Sequence, residues 1–151
     1  MVSAEDIKKL REETGLPMSL CREALQESAG DRAKALEILG QRGAHAAEKK
    51  SSRSLGAGSI AAYIHNTKTI GTLVELDCET DFVANNDEFK TLAYDLAMHI
   101  CATAPANLEA LMLEPFIKDE SRSIKQLIEN ATQKFGERIE LVRFVRYSTK
   151  G

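Results

Sequence analysis

The chain changes periodicity abruptly between residues 70 and 100, and that change constrains the fold more than any other feature. Ile70 to Cys78 alternates as a strand does, with Val74, Leu76 and Cys78 on one side and Glu75 and Asp77 on the other. From Asp87 onward, Phe89, Leu92, Ala93, Leu96, Ala97 and Ile100 recur at helical spacing on one face. A strand feeding an amphipathic helix calls for helices layered on a sheet. The connection holds Glu79-Thr80-Asp81-Phe82-Val83-Ala84-Asn85-Asn86. It puts Phe82 where loops ordinarily carry small or polar residues. Such an aromatic either folds back into its own core, the usual fate of a loop aromatic, or is offered to another molecule. Val83 either anchors the loop or joins Phe82 outside.

The rest of the second half supplies a layer partner for that strand. Ile60 to His65 and Ile70 to Cys78 form a hairpin across polar Asn66-Thr67-Lys68-Thr69. Asp87 is the expected cap of the helix that stops near Pro105. Ser123 with Gln126 reads as a capping box, with Ile124, Leu127, Ile128, Ala131 and Phe135 as the apolar stripe and Gly136 as the stop. Ile139 to Tyr147 is a strand whose Arg143 and Arg146 give it a partly polar face. The order β-β-α-α-β predicts an α+β fold with helices on a small antiparallel sheet.

The first third reads differently. Ser3 with Asp6 caps a helix carrying Ile7 and Leu10, Gly15-Leu16-Pro17 breaks it, and Ser19 caps a second helix. Gly30 and Asp31 separate a third helix, which Gly43 ends. The expected division is a three-helix domain over 1–43, a linker over 44–58 and a core domain over 59–151. A bundle this small has a thin core. Lys49, Lys50 and Arg53 in the linker lack interleaved aromatics, so a solvated face is the reading rather than an RNA site.

Charge and cysteine usage narrow the function. The net charge is −3, which argues against nucleic acid as the main partner. There is no apolar run long enough to span a membrane and no signal-peptide pattern, so the expected location is cytoplasmic. Cys21, Cys78 and Cys101 form no C-x-x-C pair and suit buried thiols in a reducing compartment. His99 and Cys101, two apart on a helix, do not converge on a metal. A nucleophilic Cys78 would want a cationic neighbour, and His65 reaches it only if the hairpin register allows. No catalytic residue, cofactor or metal is expected.

Three blocks carry a resemblance to the elongation factor Ts family. Leu10-Arg11-Glu12-Glu13-Thr14-Gly15, with Met18, Cys21 and Ala24-Leu25, resembles the family's ubiquitin-associated-like N-terminal domain. Gly71 to Ala84, with Asn86, resembles its signature. Glu114 to Asp119 and Ile139 to Arg146 resemble its closing segment. The chain departs from the pattern at Pro17 and Leu20. It also departs at Pro105 to Leu113, a short bridge where many members carry a helical hairpin or a second core subdomain.

The resemblance implies a guanine-nucleotide exchange factor that binds elongation factor Tu in its GDP-bound and nucleotide-free states. It implies that Asp81 and Phe82 enter the partner's GTP-binding domain, between helices near the magnesium and phosphate site. Thr80 and Val83 complete that partner-binding loop, and Phe82 then faces outward. A homodimer is expected to cover an exposed sheet face. The alternative is a ubiquitin-associated-like adaptor that binds without driving exchange.

Overall fold

The computed structural model describes residues 2–150. Helices α1 (Ala4–Thr14), α2 (Met18–Glu27) and α3 (Arg32–Lys50) form an N-terminal bundle. Its core is Leu10, Leu16, Cys21, Ala24, Leu25, Ala35 and Leu39. The Ser3–Asp6 capping box forms, and Asp31 caps α3 through the Lys34 N–H. The cap of α2 is Pro17 rather than Ser19, since a proline has no N–H to satisfy there.

Helix α3 does not stop at Gly43 but continues to Lys50. Gly43 is a crossing point: a Cβ there would sit 3.3 Å from the Glu129 carbonyl oxygen on α7 (Ile124–Phe135). The missing side chain lets the two helices approach. Around the crossing, the Gln133 amide donates to the Leu39 carbonyl at 3.1 Å and the Asn130 amide to the Thr14 carbonyl at 3.0 Å. The bundle is therefore docked on α7 as well as joined through residues 51–56.

The second half is α+β, as expected. Strands β1 (Ala57–Ile64), β2 (Ile70–Cys78) and β5 (Glu140–Ser148) form an antiparallel sheet in the order β1-β2-β5. Val142 is extra to the register, because Glu75 faces Arg143 while Leu76 faces Leu141. Val74, Leu76 and Cys78 point into the core, against α5 (Asp87–Thr103) and α7. Buried Thr72 donates to the Ala97 carbonyl at 2.6 Å, and Arg146 to that of Cys101 at 3.1 Å, locking α5 across the sheet. Phe89 and Phe135 meet edge to face at 6.1 Å between centroids. The cap of α5 is Asn86, one residue before the expected Asp87.

Three elements lie outside the expected order. The bridge after Pro105 contains α6 (Leu108–Leu113), and a short hairpin follows, β3 (Pro115–Phe116) with β4 (Asp119–Ser123). Buried His99 holds this insertion to α5. The ring's Nδ1 accepts the Ile117 N–H at 3.2 Å, and Nε2 lies 2.9 Å from the Glu114 carboxylate. Since Nδ1 accepts, the ring proton sits on Nε2 and is donated to Glu114. The third element is a helical turn in the Phe82 loop, α4 (Asp81–Ala84).

The presented Phe82 loop

Phe82 is 87% exposed, the most exposed of the large apolar side chains among the described residues, while Val83 beside it is 5% exposed. The helical turn accounts for the contrast. Successive residues on a helix point about 100° apart, so Val83 and Ala84 can face the core while Phe82 faces away. Thr80 caps the turn, its hydroxyl oxygen accepting the Val83 N–H at 3.4 Å. Asp81 is exposed in the first turn, where a carboxylate suits the free N–H groups. The four expected residues thus divide into a cap, two outward groups and an anchor. The signal for the turn was local: a threonine followed by an acidic residue.

The base of the loop is held from a distance. Glu137 follows Gly136, whose φ of 70° turns the chain back from α7 toward β2. One Glu137 carboxylate oxygen accepts the backbone N–H groups of Glu79 and Thr80, each at 3.1 Å, and the other accepts the Thr80 hydroxyl at 2.7 Å. The exchange is reciprocal, because the Glu79 carboxylate accepts the Arg138 N–H. Arg138 in turn donates to the Arg53 carbonyl at 2.7 Å and pairs with Glu140 at 3.0 Å. Sequence reasoning missed Glu137, and no local pattern announces a contact so far along the chain.

Cys78 closes the loop from inside. Its thiol donates to the Thr80 carbonyl at 3.3 Å. Burial, with the Glu137 charge adding to it, pushes its pKa up to about 11, which keeps it a thiol. The register pairs Cys78 with Ala57, while the His65 N–H bonds to the Ile70 carbonyl at the far end of the hairpin. The pairing of Cys78 with His65 does not occur. Cys101 is also buried, and His99 is committed to Glu114 and Ile117.

The outer sheet face is uneven. Ile64, Leu73, Val145 and Tyr147 are exposed at one end and line a groove of about 440 Å³, while exposed Ile60 lies opposite Glu75 in the register. At the other end lie Glu75, Asp77 and Arg143, with Arg143 donating to Glu75 at 2.7 Å. Partial burial, then the neighbouring Glu75 and Glu140 carboxylates, raise the Asp77 pKa to about 6, against the pull of Arg143. Glu75 shifts down, chiefly through Arg143. A Cβ at Gly58 would collide with the Asp77 carboxylate, so the glycine gives this pair its space. Among the described residues, no helix is long and apolar enough to cross a membrane.

Fold and loop together define a small α+β protein with a docked N-terminal helical bundle and an aromatic side chain fixed at the surface. The family model described as elongation factor TS matches residues 79–151, from the loop through β5. A protein of Thermodesulfovibrio yellowstonii named elongation factor Ts is 37% identical, with 97% of this chain and 95% of that one covered. One of Carboxydothermus hydrogenoformans with the same name is 38% identical, with 97% and 88% covered. The chain belongs to the elongation factor Ts family. The first of these alignments runs over 190 positions against 151 residues here, so that relative carries a segment this chain lacks.

Proposed function

We propose that this protein is a cytoplasmic factor that binds elongation factor Tu carrying GDP and promotes GDP release. It does so by inserting Asp81 and Phe82 near the magnesium and phosphate site. The observation that carries the reading is the 87% exposure of Phe82 on a turn whose neighbours are buried or bonded. A ring left in water gains nothing for its own fold, whereas burying it in a partner is worth about 1.5–3 kcal/mol. Placed in a pocket that opens only when the nucleotide site is disturbed, that energy lowers GDP affinity by the factor that GDP lowers the factor's own affinity. Each 1.4 kcal/mol or so is about tenfold. No bond is made or broken by this chain's residues, and neither cofactor nor metal is needed.

Asp81 either accepts hydrogen bonds from the displaced partner segment or repels the ligands of the magnesium. The ubiquitin-associated-like domain, residues 1–43, supplies a second contact to the partner, and the core over 59–151 supplies the wedge, with 44–58 between. The apolar end of the outer sheet face, with Ile64 56% and Tyr147 75% exposed, supports a homodimer formed through it.

The test is release of a fluorescent GDP analogue from elongation factor Tu, with the wild-type protein and with Phe82→Ala. Acceleration by wild type that is mostly lost in the variant is expected. Binding without acceleration would leave an adaptor, and acceleration that survives the substitution would move the wedge elsewhere.

A further inference from the structure

We propose that Glu137 is the positioning residue of the Phe82 turn, and that its carboxylate sets the geometry in which the ring is presented. This rests on the reading that Phe82 enters elongation factor Tu. A four-residue turn is far below the length at which a helix sustains itself, so its shape must be imposed from outside. Val83 anchors one end by burial. At the other end three donors converge on one side chain: the N–H groups of Glu79 and Thr80 and the Thr80 hydroxyl. Bonds to an ionised acceptor are the stronger kind.

The chemistry of the acceptor also decides the direction of the third bond. A carboxylate only accepts, so the Thr80 hydroxyl must donate to it. Its lone pairs are then free for the Val83 N–H, which is the cap of the turn. Glu137 thus orients the hydroxyl as well as tying it. A loop held this way meets its partner without first having to be ordered, and binding loses less to entropy.

The experiment uses the full chain with Glu137→Ala, Glu137→Gln, Phe82→Ala and the double variant Glu137→Ala/Phe82→Ala. Stimulated GDP release and amide hydrogen exchange at Thr80 and Val83 are measured on each. Glu137→Ala should slow stimulated release by about tenfold, the size of re-disordering one backbone residue. Glu137→Gln keeps one oxygen acceptor and places an amide nitrogen opposite the hydroxyl, so it should fall between. Amide exchange should quicken in both variants. On the Phe82→Ala background Glu137→Ala should slow release no further, an outcome that a general loss of stability would not give.

Wild-type release with Glu137→Ala, while Phe82→Ala is crippled, would overturn the assignment and leave the proposed function standing. An equal further loss in the double variant would also overturn it, since Glu137 would then act apart from the ring. Should wild type drive no exchange at all, the proposed function fails and amide exchange alone decides. Unchanged protection at Thr80 and Val83 would then refute Glu137 as the residue that holds the turn. If Glu137→Ala fails to fold, the same comparisons are read on Glu137→Gln.

Discussion

Phe82 and Val83 are adjacent in sequence and opposite in environment, so truncating each to alanine should give crossed results. Val83 is 5% exposed and packs with the core of β2, α5 and α7. Removing its two methyl groups loses roughly 0.8 kcal/mol per carbon plus a cavity term, in all about 1.5–2.5 kcal/mol of stability. For a chain of this length that lowers the thermal midpoint by several degrees, at about 2–4 °C per kcal/mol. Phe82→Ala removes a ring that already sits in water, so its midpoint should match wild type within about 0.5 kcal/mol. Its affinity for nucleotide-free elongation factor Tu should fall roughly 10- to 150-fold, the equivalent of 1.5–3 kcal/mol. Thermal unfolding of the isolated proteins and titration against the nucleotide-free partner measure the two axes separately. A Phe82→Ala protein that loses more than about 1 kcal/mol of stability would refute the reasoning, because the ring would then belong to its own core.

Four further substitutions test other parts of the fold. The raised pKa of Asp77 means that the folded state holds its proton between the ordinary carboxylate range and about pH 6, so wild-type stability falls as pH rises through that window. Asp77→Asn should flatten that slope and be the more stable form at pH 7, as pH-dependent denaturation curves would reveal. His99→Phe conserves much of the volume but leaves the Ile117 N–H and Glu114 without the ring, and should cost about 1–3 kcal/mol by urea unfolding. Gly40→Ala and Gly43→Leu should differ in sign: Gly40 has open space and gains up to about 1 kcal/mol of helix propensity. Gly43→Leu overpacks the crossing with α7 at a cost of about 1–3 kcal/mol, and thermal midpoints of the pair decide it.

Much of the core was legible because burial writes a period into the chain. Val74, Leu76 and Cys78 alternate, and Phe89 to Ile100 recur at helical spacing, so sheet and helix followed directly. The capping boxes at Ser3 and Ser123 were legible because both partners lie within four residues. Gly43 misled because a helical glycine looks the same whether it ends a helix or admits a neighbour, and only the position of Glu129 distinguishes them. α6 and the β3–β4 hairpin are too short to show a period. In the site, Phe82 was conspicuous as an apolar residue out of place. What holds it was not, because the contact of Glu137 with Thr80 depends on how α7 directs the chain back to β2.

Helix α7 touches the N-terminal bundle along its length and releases, two residues past its end, the carboxylate that grips the Phe82 turn. Twelve residues at about 1.5 Å each make it a strut of roughly 18 Å. That strut works as a ruler. It fixes the spacing between the bundle and the Phe82 turn, so a partner touched by both must offer two sites at a matching span. Length added or lost elsewhere in the chain leaves the graduation unchanged, whereas one residue inserted within α7 would rotate the bundle about 100° around it and misalign both marks at once.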